Sequence, residues 1–214
     1  MLTLMPCCSL PSLFAACHEE PYGTGGGFAS WPKTKYPWAF QVAAREGAFW
    51  TRLHAGKGLI ITDEVARIAA PVCRAEVAAA FEGAHGDDAR RIVEQLRSAG
   101  PSVTEELKEE LALDARSFKR ARDRLERFGA VIGRGLRVEL PDGGHRHTNE
   151  YRLWDLGANG DRESALTELF VLGVRAAVAA PAKEALRWFG WPVPKEALDD
   201  KRLVRPEPGW VAFA

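Results

Sequence analysis

The stretch from Ala115 to Trp154 restricts the fold more than any other part of the 214-residue chain. Phe118, Ala121, Leu125 and Phe128 recur at helical spacing and lay one apolar stripe along a helix expected over 115–128. Asp114 stands where an N-cap belongs, and Gly129 where a helix C-terminus takes a left-handed residue. Two extended runs follow, Val131–Leu140 and Thr148–Trp154, joined by Pro141-Asp142-Gly143-Gly144. An Asp-Gly pair between extended runs is a strong hairpin signal.

Two more helices precede this unit. Asp87-Asp88 opens one whose face is Ala89, Ile92, Val93 and Leu96, and Ala99-Gly100-Pro101 stops it. Ser102 to Leu111 gives a second, with Val103, Leu107 and Leu111 four apart and acids following Thr104. Leu113-Asp114 turns tightly into the third helix. Three helices and a hairpin in this order make a winged helix-turn-helix over 85–156. Residues 157–214 repeat the order more loosely. A helix is expected over 162–179, with Leu166, Leu169, Phe170, Gly173, Val174 and Val178 toward a core. A second follows from Pro181 to Phe189-Gly190 and a short third from Pro194 to Asp200. Leu203-Val204-Arg205 and Trp210-Val211-Ala212-Phe213 then flank the turn Pro206-Glu207-Pro208-Gly209. The fold class is therefore mainly α with small β-hairpin wings (α+β), a tandem winged helix-turn-helix. Trp188, Trp191 and Trp210 are expected in the core of the second unit.

Charge picks out the third helix. Lys and Arg number 29, as do Asp and Glu, so bulk positive charge is excluded as a way of holding nucleic acid. Yet 115–137 carries eight basic residues against two acidic ones. Arg116, Lys119, Arg120 and Arg127 lie opposite the Phe118/Leu125 stripe. On a helix placed in a major groove they would meet phosphates or guanine edges. Arg134, Arg137, His145 and Arg146 on the hairpin would meet the adjacent backbone. Glu105, Glu106, Glu109 and Glu110 on the second helix work against this, by repelling phosphate or by pairing with the arginines. The alternative to a contact surface is a solvated helix face.

Residues 1–35 read as a disordered leader. Positions 1–32 contain no Lys or Arg, so they lack the basic start of a secretory signal. Phe14-Ala15-Ala16-Cys17 only faintly matches a lipoprotein cleavage box. The Gly-rich Tyr22–Phe28 has neither the preceding strand nor the Gly-Lys-Ser/Thr of a phosphate loop. Residues 36–84 read as an N-terminal helical segment. Trp38, Val42, Phe49 and Leu53 make one helix face, Gly56-Lys57-Gly58 stops it, and Leu59-Ile60-Ile61 is too short to type. Thr62 then caps a helix to about Phe81, with a kink or break at Pro71. No run approaches the ~20 apolar residues of a membrane helix, and no membrane partner is expected. Four cysteines, at 7, 8, 17 and 73, form no disulfide framework and suit a reducing cytoplasm. The spacing of Cys7, Cys8, Cys17 and His18 fits no zinc template. His145 and His147 share a strand face but find no third ligand. No metal or cofactor is expected.

The segments RIVEQLRSAGPSVTEELKEEL, RARDRLERFGAVIGRG and RWFGWPVPKEALDDKRLVRPEPGW resemble the AlkZ/YcaQ group of winged-helix proteins, in order of elements over 36–213. That resemblance implies tandem winged helices around a DNA channel and excision of alkylated bases by a Gln-apolar-Gln signature. This chain has only Gln41 and Gln95, and Gln41 is followed by Val42-Ala43, so the second glutamine is missing. Gln41 and Glu46 are the only candidates to hold a water. The expectation is a DNA-binding winged-helix protein related to these glycosylases, without catalysis, with double-stranded DNA as its partner. The alternatives are an active glycosylase for alkylated bases in DNA repair, and a transcriptional regulator. A regulator would need a homodimer, with the apolar helix 36–54 as dimer surface or else as packing scaffold.

Overall fold

The computed structural model describes residues 1–16, 40–139 and 143–214, with the backbone alone of Arg137 and His145. Among the described residues the fold is mixed α/β: helices around three small antiparallel sheets of three strands each. Among the described residues no helix is long and apolar enough to cross a membrane.

The first sheet lies where a leader and a helix were expected. Strand β1 (Leu2–Thr3) pairs with β3 (Lys57–Thr62), which forms a hairpin with β2 (Ala48–His54). The turn between β2 and β3 is Ala55-Gly56, with φ of 49° and 90°. Positive φ at both central residues suits the right-handed twist of a hairpin. The helix expected over 36–54 is thus corrected: only residues 40–43 of its described part are helical, and 48–54 is a strand. A spacing of four fits one side of a strand as well as one side of a helix. Thr51, buried between Phe49 and Leu53, reveals the period of two.

The disordered leader is corrected for residues 1–16. Thr3 is buried and its hydroxyl donates to the carbonyl oxygens of Met5 and Pro11. A short helix, α1 (Leu13–Ala16), follows, and Leu10 and Leu13 are buried. The absence of charge that excluded a targeting signal is also what lets this segment pack. Residues 17–35 of the expected leader, including Cys17, His18 and the Gly-rich stretch, lie outside the described residues.

Helix α2 (Asp63–Phe81) starts where Thr62 Oγ1 accepts from the Val65 amide, and it runs on through Pro71, so of the kink or break expected there the break is not found. Its Ala66, Ala69, Val72 and Cys73 are buried against α6 (Arg162–Ala177), which brings Leu166, Leu169 and Phe170. This core also takes in Leu10, Leu53, Trp188 and Val211, so the N-terminal segment, the first hairpin and residues 157–214 share it.

Between these parts sits a unit with its own apolar cluster. It comprises α3 (Asp87–Ala99), β4 (Ser102–Val103), α4 (Thr104–Glu110), α5 (Ala115–Arg127), β5 (Val131–Glu139) and β6 (His145–Leu153). Ile92, Val93, Leu107, Phe118, Leu125 and Tyr151 fill its centre. Ser102-Val103, expected as helix, pairs instead with Tyr151 and Glu150. β5 and β6 are paired without a register shift from Val131↔Leu153 to Glu139↔His145; residues 140–142 of the expected turn lie outside the description.

The last unit follows α6. Val178 ends that helix at φ 67° and is 71% exposed, the reverse of the expected core position. Then come β7 (Ala179–Pro181), α7 (Ala182–Ala185), a 3-10 turn (Lys195–Asp199), β8 (Leu203–Val204) and β9 (Trp210–Phe213). α7 is shorter than expected. Trp188 and Trp191 are buried, whereas Trp210 is exposed on its strand and does not belong to the core. All three sheets share one order: first strand beside last, with the middle strand outside (β1-β3-β2, β4-β6-β5, β7-β9-β8).

Removing residues 1–16 should therefore lower the melting temperature sharply. Leu10→Ala alone should cost about 2–5 kcal/mol, as a buried leucine truncated inside a shared core. Denaturant unfolding of the two proteins checks this, and unchanged midpoints would mean that the segment does not pack.

Candidate nucleic-acid interface

The local sequence fixes the orientation of α5. Asp114 Oδ1 accepts from the Arg116 and Ser117 amides at 2.8 and 3.0 Å. Those amides hold the Asp114 carboxyl below the usual carboxylate range. Phe118, Ala121 and Leu125 turn inward and are buried. Arg116, Lys119, Arg120 and Arg127 are all exposed, as the opposite face of such a helix requires. From Arg116 to Arg127 that face runs about 16 Å at the helical rise.

The basic residues are not equivalent. Lys119 Nζ lies 2.5 Å from Asp123 Oδ2, so a carboxylate sits in the middle of the face and offsets one charge. Arg122 is turned away: it donates to Asp123 and to the Tyr151 hydroxyl, and its Nε lies 3.4 Å from Glu126 Oε2. Arg124 donates to the Ala84 carbonyl oxygen at 3.4 Å. Arg127 has its guanidinium 5.6 Å from the Phe128 ring, with its stem near Gly56 and its carbonyl near Gly190. Arg116 and Arg120 form no ion pair among the described residues. These two are the most available cations of α5.

The acidic helix does not neutralise them. Glu105 accepts from the Thr148 hydroxyl at 2.7 Å, and that bond lowers its pKa, helped by the charge of Arg146. Glu106 accepts from the Val103 amide, and Glu110 from the Gln95 side chain. These carboxylates are engaged by α3, β4 and the hairpin. Pairing with the α5 arginines is thus not found among the described residues.

On the hairpin, Arg134 and Arg146 are exposed. Arg134 stands opposite Glu150 and Arg146 opposite Val138, so even spacing along β5 puts both on one side of the ribbon. Arg137 stands opposite His147 in the register, and His145 opposite Glu139; the side chains of Arg137 and His145 lie outside the description. His147 is exposed with its ring 6.2 Å from that of Phe40. Gln41 and Glu46 are both exposed, Gln41 in the helical stretch and Glu46 in the turn before β2. Neither has the enclosed setting that an extruded base requires.

Two groupings escaped the sequence because their members are far apart in the chain. Glu126 is held between Arg52 of β2, at 3.3 Å, and Arg122. Burial raises its pKa, and the two guanidinium groups oppose that rise. Cys7 and Cys8 meet His54, while Cys17 and His18 lie outside the described residues.

The contrast among the α5 arginines is testable by stability. Arg116→Ala and Arg120→Ala should each change unfolding free energy by no more than about 0.5 kcal/mol. Arg122→Ala, which strips partners from Asp123, Glu126 and Tyr151, should cost about 1.5–3 kcal/mol. Glu126 adds a pH signature. Its folded pKa lies above the unfolded value, so the folded state holds the extra proton between the two. Its contribution to stability therefore falls as pH rises through that window. Glu126→Gln should gain on the wild type as pH rises there, and parallel stability–pH curves would refute the burial of this carboxylate. No protein-family model matches the chain, and no curated protein matches it.

Proposed function

We propose that the chain is a double-stranded-DNA-binding protein of tandem winged-helix type, related to the AlkZ/YcaQ glycosylases and acting without base excision. The observation that carries the reading is α5. It is an amphipathic helix with Arg116 and Arg120 exposed and in no ion pair among the described residues, followed by a hairpin with Arg134 and Arg146 on one side. Helix, strand, helix, helix and hairpin, with a sheet order of β4-β6-β5, is the arrangement that lets a third helix enter a major groove while the hairpin reaches the flanking backbone. A neutral chain then binds through one face rather than through its overall field. Reading as a binder rather than an excising enzyme follows from Ala43, where a second glutamine would stand, and from the exposure of Gln41 and Glu46.

Duplex affinity should fall linearly with log[salt], by about 0.9 per phosphate neutralised. Replacing Arg116 and Arg120 together by Ala should weaken binding and flatten that slope by about 2, with the fold intact. Titration of a labelled duplex at several salt concentrations measures both. Binding with no salt dependence, or an unchanged slope in the double variant, removes α5 as the contact surface. Release of a base from an alkylated duplex would restore the enzymatic alternative.

A further inference from the structure

We propose that Cys7, Cys8 and His54 form a zinc site, supplying three protein ligands from the described residues. The ligand atoms all lie within 4.8 Å of one another, although His54 is about fifty residues further along the chain. Both Cys Sγ atoms stand 3.6 Å from His54 Nε2. Zinc–sulfur bonds of about 2.3 Å and zinc–nitrogen bonds of about 2.0–2.1 Å at a tetrahedral angle place S and N about 3.6 Å apart. Both sulfur–nitrogen separations are thus those of a tetrahedral site.

The histidine is set for the role. Its Nδ1 lies 2.6 Å from the Trp188 carbonyl oxygen. A carbonyl only accepts, so Nδ1 carries the proton and Nε2 turns its lone pair toward the two sulfurs. Fixing the tautomer and ring plane through the other nitrogen is how metal-binding histidines are commonly held. His54 is buried, Cys8 half-buried and Cys7 exposed. The three groups line a pocket of about 470 Å³ together with Lys57, Glu184 and Arg187. Glu184 is occupied from behind, its Oε1 accepting from the Ser9 amide at 2.7 Å and from Trp188 Nε1 at 3.1 Å. It steadies the loop that carries the cysteines. Two thiolates and a neutral imidazole balance a divalent charge, and that donor set favours zinc over magnesium or calcium. A zinc ion here would tie the N-terminal segment to the end of β2 and, through His54, to the chain at Trp188.

The test uses the reduced full chain, stripped with a chelator and titrated with Zn²⁺ against a chromophoric competitor. One Zn²⁺ should bind per chain. Cys7→Ser and Cys8→Ser should each abolish tight binding. Zn²⁺ should raise the melting temperature of the wild type and not that of Cys7→Ser, whose exposed position leaves folding intact. Titration with Co²⁺ gives an independent readout on the unaltered chain: thiolate-to-cobalt charge-transfer bands and the visible bands of a tetrahedral ion. Absence of Zn²⁺ uptake and of these bands would overturn the site. So would uptake that survives both cysteine substitutions, or a Cys7–Cys8 disulfide that persists in reductant.

Discussion

Helix α5 can pass into its hairpin only because residue 129 has no side chain. Gly129 sits at φ 72°, and a Cβ built there would lie 2.5 Å from Cys73 Sγ and 2.9 Å from Leu53 Cδ2. The end of α5 therefore packs against α2 and β2 at once. Glu126, one turn earlier, reaches Arg52 on the same strand. On the other side a Cβ at Gly190 would meet the Arg127 carbonyl oxygen at 2.7 Å. Close backbone approach at these two glycines seats the basic helix against both flanking parts, and its orientation follows from theirs.

The elements that were legible in the sequence are those whose signals are local. Asp114, the Phe118/Leu125 stripe and Gly129 define α5 between them, and each acts within a few residues of its position. Ser102-Val103 was misread because two residues of strand are settled by a partner, Tyr151, about fifty residues away. β2 was misread because Phe49 and Leu53 satisfy two periods at once. The N-terminal segment was missed because its order comes from β3 and from the shared core, neither of which leaves a mark on residues 1–16 themselves. The basic face was legible for the same reason as its helix. What could not be read was how its charges are divided: Arg122 is drawn inward by Tyr151 and Glu126, and Lys119 is matched by Asp123. His54 carried no signal as a partner of Cys7 and Cys8, since only the fold of β2 against the N-terminal loop brings them together.

Electrostatically the protein separates structural from available charge. Arg202 binds Glu168 through both terminal nitrogens, at 2.9 and 2.7 Å, and Asp200 through Nε at 2.9 Å, fastening β8 to α6. The carboxyl of Asp200 is held down to about 2 by that guanidinium. Arg162 and His85 both contact Glu76 on α2. With such pairs set aside, the surplus of cations on a neutral chain is concentrated on α5 and the hairpin that follows it.

The common order of the three sheets also bears on how the molecule avoids its own kind. β1, β4 and β8 are edge strands of two residues and β7 of three, too short to template another chain. β2, of seven residues, is a longer edge, and the longest is β5, a nine-residue strand paired on one side only among the described residues. Along it stand Gly133, Arg134, Gly135 and Arg137, where glycine weakens extended stacking and positive charge repels an identical neighbour. Glycine and charge together thus guard the longest open edge among the described residues against pairing with a second copy.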